Sequence, residues 1–243
     1  MGKFDWFWKA MGSTAERNNK KSKAVVADAH GLIEELSLLD DTALAETVRA
    51  AVTDGEVKDK PRFLAGLSVA SQRTLGMTPF NVQNQAVLRL LEGDVIQMAT
   101  GEGKTLVGAM AATGFALQGK RVHLITVNNY LAARDAEWMR PLVEFFGLSV
   151  AAVTESSTRE ERIAAYRCDV IYAPVTEIGF DHLRDNQITS RDQTVQAPAD
   201  VALVDEADSV LVDEALVPLV LAGSEGAQPV SYTHLTLPTT PYV

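Results

Sequence analysis

Cysteine occurs once in these 243 residues, as Cys168, so no internal disulfide can form. A lone thiol fits a reducing cytosol, and beside an apolar run it reads as core filler rather than as a nucleophile. Long hydrophobic runs are missing too. No stretch approaches the ~20 consecutive apolar residues that a membrane-crossing helix needs. Nor do the first residues hold an apolar stretch followed by a small-residue cleavage site, so they do not read as a signal peptide. Cations are scarce: 22 Lys and Arg stand against 32 Asp and Glu, for a net charge of −10. The scarcity is uneven. Residues 1–23 hold six cations and two anions, which leaves 16 cations against 30 anions in the remainder, a local −14. So acidic a body gains nothing from releasing counterions on a phosphate backbone, which argues against nucleic acid as the main partner. Internal repeats are absent as well. The length and a 47% hydrophobic content suffice for one buried core of α/β size.

What is present begins with the basic end, which also carries Phe4, Trp6, Phe7, Trp8 and Met11. Rings beside lysines suit a helix lying in a headgroup layer, with the ammonium groups on anionic lipid. The same composition suits a short arm docking its aromatics on the domain, and both readings stand. Residues 24–75 predict helices: Val26, Ile33, Leu36, Leu39, Leu44 and Val48 recur at helical spacing, with a break near 54–61. From residue 94 the pattern changes. Short apolar runs at 94–99, 122–127, 149–153, 170–173, 201–204 and 217–221 alternate with amphipathic stretches at 104–117, 130–146, 158–166 and 177–184. Thr158 and Glu161 have capping-box spacing, which marks a helix start. Such alternation predicts an α/β fold with a mostly parallel sheet covered on both faces.

The first chemical signal is Met98-Ala99-Thr100-Gly101-Glu102-Gly103-Lys104-Thr105. Glycines let backbone N–H groups close around phosphate oxygens, and a helix starting at Lys104 aims its positive end at the same place. Lys104 would reach the β- and γ-phosphates of ATP, and the Thr105 hydroxyl would ligate Mg2+. Met98 stands where glycine is commoner. The expected setting is strand, loop, helix. The second signal is Val201-Ala202-Leu203-Val204-Asp205-Glu206-Ala207-Asp208, an apolar strand that delivers two carboxylates to the carboxyl edge of the sheet. Asp205 would hold Mg2+ through its water shell, and Glu206 would polarise the attacking water as general base. Loop and acidic pair together predict an ATPase; the alternative is a nucleotide-binding module without turnover. Gln83, upstream of the loop, is placed to read an adenine edge; the alternative is a surface glutamine.

The last four of those residues also spell the signature of an RNA helicase class. The longer blocks point elsewhere. Gly76-Met77-Thr78-Pro79-Phe80-Asn81-Val82-Gln83, the phosphate loop and Thr126-Val127-Asn128-Asn129-Tyr130-Leu131-Ala132-Ala133-Arg134-Asp135-Ala136-Glu137 resemble the first nucleotide-binding domain of SecA, the bacterial preprotein translocase ATPase. Gly179-Phe180-Asp181-His182-Leu183-Arg184-Asp185-Asn186 resembles that family's Gly-Phe-Asp-Tyr-Leu-Arg-Asp-Asn, and Ser209-Val210-Leu211-Val212-Asp213-Glu214-Ala215 resembles its second acidic stretch. Ala99 before the loop, Pro174-Val175-Thr176-Glu177 and Leu216-Val217-Pro218 are similar to the accessory SecA of mycobacteria and related actinobacteria.

The resemblance implies a RecA-like P-loop NTPase domain preceded by a helical segment. It implies ATP and Mg2+ as cofactors, and hydrolysis coupled to export of preproteins through the SecYEG channel. It also implies a cytoplasmic protein peripheral to the inner face of the plasma membrane, with a homodimer allowed; anionic lipid enters as a partner through the basic arm, and nucleic acid is left out on the charge balance. The expected divisions are a basic aromatic arm at 1–23, a helical segment at 24–75, an incomplete first nucleotide-binding domain at 76–224 and a tail at 225–243. That tail, uncharged after Glu225 and rich in Thr and Pro, resembles no part of the family and is read as non-native.

Overall fold

The computed structural model describes residues 14–213 and 215–220. Most of the basic arm and all of the segment 225–243 therefore lie outside the described residues. Three helices open the fold: α1 (Thr14–Ser37), α2 (Asp41–Ala50) and α3 (Lys60–Leu75). Val26, Ala29 and Leu36 repeat at helical spacing along α1 and are buried, chiefly against α3. Aspartates start the next two helices. Asp40 accepts the Ala43 N–H at 2.8 Å and Asp59 accepts the Arg62 N–H at 3.1 Å, each filling a donor that a helix start leaves open. Between α2 and α3 the chain turns through a two-stranded hairpin, β1 (Val52–Thr53) and β2 (Glu56–Val57), which overlaps the expected break and starts two residues before it.

The helix α4 (Asn81–Leu91) and the helix α5 (Lys104–Leu117) then lead into alternating strands and helices: β3 (Val122–Thr126), α6 (Asn129–Phe145), β4 (Val150–Ala152), α7 (Arg159–Ala165), β5 (Val170–Pro174), α8 (Val175–Gln187) and β6 (Val201–Val204). Four of these strands form one parallel sheet in the order β4-β5-β3-β6. Val170 and Tyr172 of β5 pack into the main core with α5 and α6, whereas Ile171 and Ala173 pack into a second cluster with Ala165 and Ile178. That period-two division is what a strand buried on both faces shows. The RecA-like α/β reading holds, and the helical segment shares the main core with the sheet.

Two expected strands are corrected. Residues 94–99 run as irregular chain, with Val95 94% exposed while Ile96 and Met98 rest against the core. Among the described residues β6 has a ladder partner on one side only, and 94–99 pair with nothing. Strand composition without a ladder leaves backbone groups to solvent, and no strand is held. The phosphate loop thus follows an irregular segment. Residues 217–220 are irregular too. There Leu219 packs against Gly179 of α8: a Cβ at 179 would stand 2.3 Å from its Cδ1 atom, so a larger residue would push that side chain aside.

Candidate nucleotide site

Helix α5 begins at Lys104 behind Gly103, which has φ 79° and supplies no side-chain cap. Among the described residues the first-turn N–H groups of α5 have no side-chain acceptor, and the helix dipole adds positive potential there. This is the geometry that takes a phosphate. Gly101 is left-handed as well, at φ 86°, so the loop turns back on itself twice within three residues. Lys104 and Thr105 are half-buried, while Gly101 and Glu102 are exposed. Because α5 ends at Leu117, just before β3 starts at Val122, its beginning lies at the opposite, carboxyl edge of the sheet.

Three hydrogen bonds set this loop. Glu102 Oε2 accepts the Ala99 N–H at 2.7 Å. The Glu102 carbonyl accepts from Gln83 Nε2 at 2.8 Å, and Gln83 Oε1 accepts the Phe80 N–H at 2.8 Å. Gln83 is 6% exposed, and a Cβ on Gly103 would come within 2.3 Å of its Nε2. The glutamine is no surface residue. Both ends of its amide are engaged, and it braces the loop against the start of α4. Reading an adenine edge would require it to give up one of these partners.

The acidic pair stands at the same edge. Val201 and Leu203 of β6 pack against the main core, so Asp205, two residues on, faces the side covered by α5 and α6. Its N–H donates to the Ile125 carbonyl at 2.9 Å, extending the β3 ladder by one residue. Glu206 is exposed and left-handed at φ 53°, and its N–H donates to Asp205 Oδ1 at 3.0 Å. A non-glycine residue in that region carries strain of ~1 kcal/mol or more, which functional sites tend to retain. Its carbonyl accepts from Val210 in the π-turn Ser209–Asp213 that follows.

These groups fit ATP with magnesium. Free N–H groups and an ammonium suit the phosphates, and the hydroxyl of Thr105 with the carboxylate of Asp205 supplies hard oxygens for the ion. No group of three or more His, Cys, Asp or Glu among the described residues is placed to hold a metal unaided. A magnesium held largely by phosphate oxygens and water needs no such group.

Two acidic features were missed in the sequence. Asp135 lies on the buried face of α6 and is 4% exposed; an acid in helical register with Ala132, Ala136 and Met139 was the signal. Asp181, in the block 179–186, is fully buried. It accepts from Arg162 Nη1 at 2.9 Å, from the Tyr166 hydroxyl at 2.9 Å and from Arg184 Nη2 at 2.6 Å. Glu177 takes the other Arg162 nitrogen at 2.7 Å. The block is a clamp between α7 and α8, remote in chain from the phosphate loop.

A family model described as the SecA DEAD-like domain matches residues 7–238. The chain belongs to the SecA family. It is 64% identical over 225 residues to "Protein translocase subunit SecA 2" of Corynebacterium efficiens, covering 93% of this chain and 30% of that protein. The namesake of Mycobacterium leprae is 53% identical over 220 residues, 90% of this chain and 28% of that protein. "Protein translocase subunit SecA 3" of Mycolicibacterium vanbaalenii is 54% identical over the same length and shares. The chain thus spans about 30% of the length of the curated relatives it matches. Membership sets aside the helicase reading and agrees with the accessory SecA that the blocks resemble.

Proposed function

We propose that this chain is the ATP–Mg2+-binding part of a SecA-type motor that couples hydrolysis to export of preproteins through the SecYEG channel. One observation carries the reading: an uncapped helix N-terminus at Lys104 and the Asp205–Glu206 pair stand together at the carboxyl edge of a parallel sheet, on the side covered by α5. In this reading the N–H groups of residues 101–105 and the Lys104 ammonium hold the phosphates, and Gln83 and Glu102 keep the loop shaped for them. Thr105 and Asp205 serve the ion, which when bound offsets charge on the transferring phosphoryl group. Glu206 takes the proton of the attacking water.

Preproteins, the channel, anionic lipid and a second copy are the partners that go with this role, and nucleic acid is not among them. The place that goes with it is the cytoplasmic face of the plasma membrane. The relatives' printed name, translocase subunit, supports the role. No described helix is long and apolar enough to cross a membrane. The division into arm, helical segment and nucleotide-binding domain belongs to the same proposal. Titrating a fluorescent ATP analogue into the wild type and Lys104→Ala tests the core of it. Loss of a charge-assisted contact of ~2 kcal/mol predicts affinity about 30-fold weaker. Equal affinities would refute the assignment.

A further inference from the structure

Helix α6 turns one carboxylate into the core. Its sheet-facing side carries Ala132, Asp135, Ala136, Met139, Leu142 and Val143, all buried and all but one apolar. The cation paired with Asp135 is its sequence neighbour Arg134, with Nε 2.7 Å from Oδ1. Neighbours in a helix point about 100° apart. Accordingly the Arg134 side chain is 41% exposed and lies over the exposed ring of Tyr130 at 5.7 Å. An ion pair so open to water returns little of what burying the carboxylate costs.

A second uncompensated group lies under the same helix. Tyr172 on β5 is buried, and its hydroxyl has no hydrogen-bond partner among the described residues. It belongs to the core cluster that α6 covers, in register with Leu124 of β3, which pairs with Leu203 of β6. Asp205 stands two residues beyond Leu203, on that same face. Asp135, the orphaned phenol and the magnesium carboxylate therefore gather on one side of the sheet at its carboxyl edge. Burial first, and then the Asp205 charge, hold the Asp135 carboxyl above its usual range; burial and the Asp135 charge do the same to the Tyr172 phenol. Repelling carboxylates beside an unpaired hydroxyl weaken a fold, and such arrangements persist where a site needs them.

We propose that Asp135 is a positioning residue of the nucleotide-bound magnesium, its charge and the Tyr172 hydroxyl together holding the water shell through which Asp205 meets the ion. This rests on the ATP–Mg2+ reading of the phosphate loop. A hydrated divalent cation brings what the three groups lack, positive charge for the acids and water for the hydroxyl. Asp135 acts through Asp205 and water, and so differs from the residues that touch the nucleotide.

The test uses the full chain as wild type, Asp135→Asn, Tyr172→Phe and Lys104→Ala. A fluorescent ATP analogue is titrated with magnesium and with EDTA, and Tm is read without nucleotide. Asp135→Asn is expected to keep or raise Tm and to leave affinity in EDTA unchanged, while the gain in affinity on adding magnesium shrinks about tenfold. Tyr172→Phe, independent of any charge effect on folding, is expected to shrink the same gain a few-fold. An undiminished magnesium gain in both variants overturns the proposal, and a fall in Tm alone for Asp135→Asn would make its pairing with Arg134 purely structural. If the wild type shows no gain with magnesium and no loss in Lys104→Ala, the ATP–Mg2+ reading fails and takes the inference with it.

Discussion

Single residues carry much of the chemistry here, and two glycine-scale details decide whether the phosphate loop holds its shape. A methyl group at position 103 faces a double penalty, φ 79° and an approach of 2.3 Å to the Gln83 amide. Gly103→Ala should therefore weaken binding of ATP analogues more than tenfold, with only a modest fall in Tm, since the loop is at the surface. Adding Gln83→Ala relieves the clash and leaves the backbone strain, so the double variant should recover part of the affinity. No recovery would mean that the strain alone matters. Because Gln83 braces the loop, Gln83→Ala by itself should weaken ATP and GTP alike; a loss confined to ATP would assign the amide to the adenine edge instead. His123 has a different consequence. It is buried on β3 with Nε2 unpartnered among the described residues, and burial, with the nearby Arg121 charge, lowers its pKa. The unfolded chain takes up a proton as pH falls below ~6.5 while the folded chain resists, so the stability is present above that pH and lost below it. Urea unfolding at pH 7.5 and 5.5 should show His123→Gln losing less stability than the wild type, by up to ~1.4 kcal/mol per pH unit. Parallel losses would show that other groups dominate.

Among the elements, α7 and α8 are joined by buried charge beside the small apolar cluster that holds Ala165 and Ile178. Arg162 is fully used: its Nη atoms meet Asp181 and Glu177, Nη2 also donates to the Thr154 carbonyl at 2.7 Å, and Nε donates to the Ser157 carbonyl at 3.0 Å. Removing the guanidinium takes from buried Glu177 its cation and leaves buried Asp181 with only Tyr166 and Arg184. Arg162→Met should cost ~3–5 kcal/mol in chemical unfolding, whereas a surface ion pair would cost under ~1. A loss in the smaller range would show that water enters and solvates Asp181. At this scale helix starts were legible in the sequence and pairings were not. The Thr158–Glu161 box forms as its spacing predicts, with the Thr158 N–H donating to Glu161 Oε2 at 2.8 Å. The bounds 104–117 match α5. Residues 94–99 have the composition of a strand and, among the described residues, no ladder, because composition records a preference while a ladder needs a neighbour.

As a whole molecule, the helical segment and the sheet share one core, which runs from Val26 through Phe63, Leu67 and Met110 to Tyr172. Deleting residues 14–51 would uncover Phe63, Leu64 and Leu67, each buried to 0% exposure against those helices and their neighbours. Near-UV circular dichroism and dye binding should then report a loosened core; an unchanged near-UV spectrum would mean that the α/β part folds alone. Turnover is a whole-molecule property as well. Residues 209–243 contain no Arg or Lys to meet a γ-phosphate, a contribution typically worth ~10³–10⁵ in rate. The isolated chain is expected to bind ATP with negligible hydrolysis; motor-like hydrolysis abolished by Glu206→Gln would overturn that expectation. What the sequence determined unaided is local: glycines where the loop turns, an apolar run ending in Asp205 and Glu206, and the helical period of α5 and α6. Each follows from residues within a turn or two of one another. Only the tertiary structure decided that Gln83 faces inward to the loop, that Arg162 and Asp181 find each other, that 94–99 join no ladder among the described residues and that Asp135 keeps company with Tyr172 and Asp205. Those outcomes depend on which distant segments meet across the sheet, and periodicity and composition carry no record of such meetings.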